Sequence, residues 1–305
     1  RKYLKEFLSD RRVIEVNPII WKVILNLFIL TFRPSKTAHA YKKIWRKESN
    51  ESPLLYFTKE QANKLNTKIG NDKIIVDFAM RYGNPSIKYK LNKLKEKGCE
   101  NIIILPLYPQ YAGPTTATAN DQVFRTLMKM NWQPSIRTVP SYYDNDKYIS
   151  ALASSVRHTF EAAKKKPEHL VVSYHGVPER YLMQGDPYHC HCQKTTRLLV
   201  ESLGWSADLV TTTFQSKFGP EKWIGPATVD FVAELGYKGK KRIAVIAPAF
   251  SADCVETLEE INEEIKESFL DSGGKEFTYI PCLNDQSEHI EALASIVKNE
   301  LLGWL

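Results

Sequence analysis

From residue 72 onward the chain alternates short, almost continuously apolar runs rich in β-branched residues with longer amphipathic stretches, and this alternation restricts the fold more than any other feature. Most of the runs at 73–79, 101–107, 135–139, 169–174, 209–213, 242–247 and 277–280 are nearly continuous apolar stretches rather than the alternating pattern of half-exposed strands. They suit strands covered on both faces of a parallel sheet. Helical periodicity fills the intervals at 85–97, 117–130, 147–164, 186–203, 226–235, 252–269 and 287–302. Strand and helix in turn predict an open, doubly wound α/β fold.

At 305 residues the chain has room for about two domains of ordinary size. Residues 102–116 run strand, Pro106, a loop of aromatic and small residues, then helix; residues 242–257 repeat that order around Pro248. Arg81-Tyr82-Gly83-Asn84-Pro85 precedes the first unit, and Lys217-Phe218-Gly219-Pro220 stands at a similar offset before the second. The repeat predicts two Rossmann-like domains whose parallel sheets face a central cleft, with the hinge in the turn-rich stretch 142–146.

Hydrophobic content of 43% and charged content of 25% match globular averages and exclude collagenous, coiled-coil and disordered chains. The net charge of +7 is scattered through short clusters (Lys42-Lys43, Lys164–Lys166, Lys238–Arg242) with acids between them. A diffuse excess of this kind suits acidic small molecules or an anionic membrane surface; a nucleic-acid groove needs one coherent basic face. Five cysteines in no regular framework predict reduced thiols and a cytoplasmic location. The longest apolar stretch, 19–32, is interrupted by Lys22 and Asn26 and falls short of the ~20 apolar residues that span a bilayer, so no transmembrane helix is expected. The helix-like start at Arg1 reads as a chain lacking a few residues rather than as a signal peptide.

Ligands of open parallel sheets collect at the carboxyl ends of the strands. There the run 169–174 delivers His175 into the turn Gly176-Val177-Pro178, where an imidazole serves as proton acceptor, metal ligand or mere bystander. The run 242–247 leads to Phe250 and then to Glu256, Glu260 and Glu264, one carboxylate stripe at i, i+4, i+8. Such a stripe is either a solvated acidic face or a path for a hard cation bound by oxygen. His189-Cys190-His191-Cys192 has the residue types of a metal box but not the spacing, and no second cysteine pair completes it. Gly-x-Gly-x-x-Gly after a strand, a P-loop and Gly-x-Ser-x-Gly are all absent, which removes the main support for nucleotide binding and for an α/β-hydrolase.

Several segments together resemble the ferrochelatase family: Ser173-Tyr174-His175-Gly176-Val177-Pro178, Gly185-Asp186-Pro187-Tyr188, Gln215-Ser216-Lys217-Phe218-Gly219-Pro220 with Trp223-Ile224-Gly225-Pro226, and Phe250 through Glu260. Tyr3 to Arg12, Arg81-Tyr82-Gly83 and Leu107-Tyr108-Pro109-Gln110-Tyr111 extend the match over nearly the whole chain, in the family's order. The resemblance implies insertion of ferrous iron into protoporphyrin IX to give protoheme, with release of two pyrrole protons. It further implies a first domain of residues 1–145 plus the C-terminal helix 287–305, and a second domain of residues 146–286 that carries the metal chemistry.

By the same resemblance His175 and Glu256 are the catalytic and metal-binding pair, and Glu260 and Glu264 form a proton or metal relay in a π-helical turn. Lys42, Lys43, Ser52, Arg81, Tyr111, Trp223, Phe250 and Asp253 are the expected porphyrin-binding residues. Where the family often has arginine, Lys42 and Lys43 would meet the propionates as point charges. Fe(II) enters as a substrate, no obligatory cofactor is expected, and the lack of a cysteine after Cys282 argues against a [2Fe-2S] cluster. Trp223, Phe250 and Tyr111 would favour a bent macrocycle, a strain of roughly 1–5 kcal/mol in enzymes generally. A poorly soluble substrate suggests peripheral contact with the inner face of the membrane, where 19–32 is either an interfacial lip or an ordinary buried helix. Cobalt and nickel chelatases and a two-domain periplasmic-type binding protein are the competing readings.

Overall fold

Leu170-Val171-Val172, Ile243-Ala244-Val245-Ile246 and their neighbours supply the stiff, apolar backbone of a parallel sheet in the computed structural model, which describes every residue except Lys164. The chain divides into two compact units: residues 1–107, 112–140 and 294–305 form unit 1, and residues 108–111 and 141–293 form unit 2.

Unit 2 holds four parallel strands: β3 (His169–His175), β4 (Val210–Gln215), β5 (Arg242–Ile246) and β6 (Glu276–Ile280), in the order β4-β3-β5-β6. Val171, Ile243 and Val245 pack with Val232, Leu235, Ile261, Ile265 and Phe269 from the helices on one face. Alternation along the strand turns Tyr174 to the other face, where its hydroxyl lies 3.0 Å from Thr196 Oγ1 on helix Tyr188–Leu203. Because β4 and β5 flank β3 on opposite sides, the chain reverses its winding direction at β3. In such sheets the crevice for ligand opens where the winding reverses, at the strands' carboxyl ends.

Unit 1 contains β1 (Asn101–Ile104) and β2 (Ser135–Thr138), paired in parallel with Ile102 opposite Ile136. Leu91, Ile102, Val123 and Leu127 form its core, closed by helices Ile87–Glu96 and Thr118–Leu127. The strand expected at 73–79 does not form. Only the isolated bridges Asn71 to Ile74 and Met80 to Ser86 occur there, and residues 75–79 join no strand ladder.

Helix Pro53–Ile69 begins with Ser52 as its N-cap, the hydroxyl accepting from Leu55 N at 3.3 Å, and Pro53 in the first turn. The helix expected over 147–164 runs from Asp146 to Ala162, and Lys164 lies outside the described residues. The apolar stretch 19–32 belongs to a longer rod. Pro18–Ile24, the π-helical Leu25–Ile29 and Leu30–Ile44 are continuous, giving 27 helical residues. By length and composition this rod is sufficient to cross a bilayer, contrary to the sequence-based expectation. One side is nonetheless committed to unit 1, with Leu25 and Leu30 buried against Leu4 and Leu8.

Candidate active site

His175 is the last residue of β3 and pairs in register with Gln215, the last residue of β4. Its Nδ1 stands 2.7 Å from the Gly176 carbonyl. A carbonyl only accepts, so Nδ1 donates, and in the neutral ring the lone pair resides on Nε2. A backbone carbonyl that fixes the tautomer and ring orientation in this way is the usual outer partner of a metal-ligating histidine.

Gly176 is required for the turn that follows. A Cβ there would meet the Gln215 carbonyl at 2.9 Å and Trp223 Cε3 at 3.0 Å. The missing β-carbon of Gly176 therefore lets the Trp223 indole lie directly beside the end of β3. Glu179 N donating to Lys222 O (2.9 Å) and Ile224 N donating to Val177 O (3.1 Å) hold the Trp223 segment in place. Phe218 meets the indole edge-on, with ring centroids 4.8 Å apart.

Gln215, which is buried, ties these strand ends to the acidic helix. Its Oε1 accepts from Ser173 Oγ at 2.8 Å, and its Nε2 donates to the Glu256 carbonyl at 2.7 Å and to Glu260 Oε2 at 3.2 Å. The carbonyl of Glu256 is thus fixed to the residue that neighbours His175 across the sheet. Glu256–Ile265 is π-helical for its whole length. Thr257, Ile261 and Ile265 are buried on the core side, while Glu256 and Glu260 are half-buried and Glu264 is exposed. The carboxylates therefore run from beside the strand ends outward to solvent.

Glu260 is held by the end of β4 and the residue that follows it. Ser216 N donates to its Oε1 at 2.7 Å and Ser216 Oγ to its Oε2 at 2.6 Å. Ser216 adopts φ of 63°, in the left-handed region that a β-carbon disfavours, and this aims both donors at one carboxylate.

The remaining expected residues are placed as follows. Phe250, in the loop after β5, packs partly against the core of unit 2, and Tyr111 is half-buried in the same unit. Asp253 is buried and spends its carboxylate on the protein: it accepts from Thr257 Oγ1 (3.2 Å), Cys282 N (3.3 Å), Asn284 Nδ2 (2.7 Å) and the Tyr279 hydroxyl. Lys42, Lys43, Ser52 and Arg81 lie in unit 1. Lys42 and Lys43 are exposed at the end of helix Leu30–Ile44, whereas Arg81 is half-buried and pairs with Asp10 while donating from Nε to Thr118 Oγ1 at 2.8 Å. Burial would raise the Asp10 carboxyl, but hydrogen bonds from Thr118, Arg12 N and Tyr82, with the charge of Arg81, hold it below its ordinary 3.8.

Cys192, Cys254 and Cys282 are buried, and burial pushes each thiol up, the mark of inert structural cysteines. Among the described residues no three His, Cys, Asp or Glu side chains converge on a metal-sized site. Gln215 and Ser216 are the functional positions that side-chain chemistry alone did not single out. The signal was their place at the carboxyl end of a buried strand, inside a segment noted only for its likeness.

The ferrochelatase family model matches residues 1–301. The chain belongs to the ferrochelatase family. It is 54% identical over 309 residues to a ferrochelatase from Rhodobacter capsulatus, covering all of this chain and 88% of the relative. A ferrochelatase from Agrobacterium fabrum is 50% identical over 306 residues, again covering all of this chain and 89% of its own. Among solved structures, SirB from Bacillus subtilis with Fe3+ superposes with TM-score 0.60 at 14% identity, covering 83% of this ferrochelatase chain and 93% of its own. CbiX, the terminal enzyme of siroheme biosynthesis in denitrifying bacteria, gives TM-score 0.52 at 12% identity, covering 86% and 92%. Both show the chelatase fold.

Proposed function

We propose that this chain inserts ferrous iron into protoporphyrin IX, forming protoheme and releasing two pyrrole protons. The observation that carries the reading is the orientation of His175: with Nδ1 committed to Gly176 O, Nε2 offers its lone pair at the carboxyl end of the strand beside the winding reversal. Two N–Fe bonds replace two N–H bonds, so the departing protons need an acceptor and the incoming cation needs negative charge. His175 serves the first demand, or ligates the metal in passing, and Glu256 serves the second. Glu264, exposed at the outer end of the π-helix, exchanges protons or ions with solvent, while Glu260 fixes the helix between them. Trp223 and Phe250 supply apolar wall, and Fe(II) takes part as substrate alone. Anaerobic mixing of the protein with protoporphyrin IX and Fe(II), followed in the visible spectrum, should show the four-band free-base pattern collapse to two bands; a spectrum unchanged from the protein-free control refutes the reading.

We propose also that the protein is cytoplasmic and rests on the membrane surface through helix 18–44. Ile19, Ile20, Val23, Leu27, Phe28 and Phe32 are each more than half exposed, Phe32 at 72%, on a helix whose other side is packed through Leu25 and Leu30. An apolar row of this kind lying on a folded unit suits the plane of the lipid interface rather than a bilayer crossing. Changing Leu27 and Phe28 to Ser should weaken co-sedimentation with vesicles containing anionic phospholipid; unaltered pelleting contradicts the assignment.

A further inference from the structure

The segment His189-Cys190-His191-Cys192 has no part in the chemistry above. On helix Tyr188–Leu203 its side chains diverge: Cys192 is buried, Cys190 is exposed, and the His189 ring stacks on Phe214 at 5.7 Å. His191 turns elsewhere. Its ring lies on Tyr143 with centroids 3.7 Å apart and planes within 11°, and its Nδ1 stands 3.2 Å from Tyr111 N. A backbone N–H only donates, so Nδ1 accepts and the ring proton sits on Nε2.

One turn along the same helix face, buried Thr195 donates from Oγ1 to Tyr143 O at 2.7 Å and accepts from Gln110 Nε2 at 3.0 Å. Tyr142 N donates to Pro109 O at 3.0 Å, closing the set. His191 and Thr195, at i and i+4, thus hold two chain segments together, 108–111 and 142–143. Burial lowers the affinity of His191 for a second proton, against the pull of Asp144 and Asp186, and so favours the form that accepts.

We propose that His191 is a positioning residue for porphyrin binding: by accepting the Tyr111 N–H it fixes the loop that presents the Tyr111 ring to the tetrapyrrole. The inference rests on the iron-insertion reading and on the place at the porphyrin that the family resemblance implies for Tyr111, and it assigns the His-Cys-His-Cys motif to loop geometry rather than to metal. A strand-end loop of this kind is otherwise free to sample many conformations, and each unproductive one weakens ligand binding in proportion to its population.

The test compares His191→Phe, which keeps a ring against Tyr143 but offers no acceptor, with His191→Asn, whose Oδ1 restores one. Protoporphyrin IX in detergent is titrated by tryptophan quenching, and anaerobic turnover gives KM for both substrates. H191F should raise the Kd and KM for protoporphyrin about fivefold to tenfold, the loss of one hydrogen bond, while leaving KM for Fe(II) and kcat within about twofold. H191N should return binding to near the unmodified value. Should H191F fail to fold, Thr195→Val tests the same grip by the same titration. Unchanged protoporphyrin affinity in H191F or T195V overturns the inference, and so does a raised KM for Fe(II) or a lost equivalent of bound Zn(II), which assign the motif to metal. Failure of the unmodified protein to bind protoporphyrin overturns instead the reading beneath it.

Discussion

Ser216 gives both its backbone N–H and its hydroxyl to the carboxylate of Glu260, at 2.7 and 2.6 Å, from a left-handed backbone conformation. With Gln215 Nε2 completing the grip, the strand end and the π-helix are joined by three bonds to one side chain. Hydrogen bonds to a charged acceptor contribute about 1.5–3 kcal/mol each, enough to outweigh the cost of the backbone strain at Ser216.

Glu260→Ala should therefore lower stability by at least about 2 kcal/mol and slow turnover, but less than Glu256→Ala slows it, since Glu260 acts through the helix it holds. Denaturant melts and steady-state rates of the two variants check this. Equal losses of kcat contradict the order along the helix.

Gly176→Ala places a methyl group 2.9 Å from Gln215 O and 3.0 Å from Trp223 Cε3. The strand end cannot yield without breaking its register, so the indole must move. Overpacking of this kind costs about 1–3 kcal/mol, and the displaced Trp223 wall should weaken protoporphyrin binding, read by fluorescence titration.

His289 provides a pH-dependent contribution. It is buried, bonded from Nδ1 to Asn284 O at 2.7 Å, and burial pushes its pKa down to about 4 from 6.5. Its folded-state pKa lies below the unfolded value, so unfolding takes up a proton wherever the pH lies between them. Stability should be fully present above about pH 6.5 and fall as the pH drops toward 4, by up to about 3 kcal/mol from this group. Urea melts at pH 7.5 and 4.5, with His289→Asn as control, measure the difference; the variant should lose the part of the slope due to this histidine.

Much of unit 2 was legible because its strands are buried on both faces, and buried parallel strands read as unbroken apolar runs. His175 drew notice for a related reason, as an ionisable side chain at the end of such a run, whereas Glu256 was separated from the rest of the carboxylate stripe only by the family resemblance. The run at 73–79 misled because Ile74, Ile75 and Val76 satisfy the pattern while the ladder depends on a partner that residue pattern does not report. Helix Pro53–Ile69 was missed although Ser52, Pro53 and Gly70 mark its ends, since Asn63, Asn66 and Thr67 blur its apolar face. Asp253 shows a different limit. A carboxylate near the chemistry reads as a ligand group, and only its four internal donors reveal that it braces the start of the acidic helix.

The most direct test of the account is His175→Ala, assayed for protoporphyrin binding and for anaerobic iron insertion in the same preparation. Loss of insertion with protoporphyrin affinity retained within about threefold is the predicted result, because the imidazole takes protons or metal and contributes little to holding the macrocycle. Turnover close to that of the unmodified protein would show that Nε2 of His175 is not the group through which iron enters and protons leave.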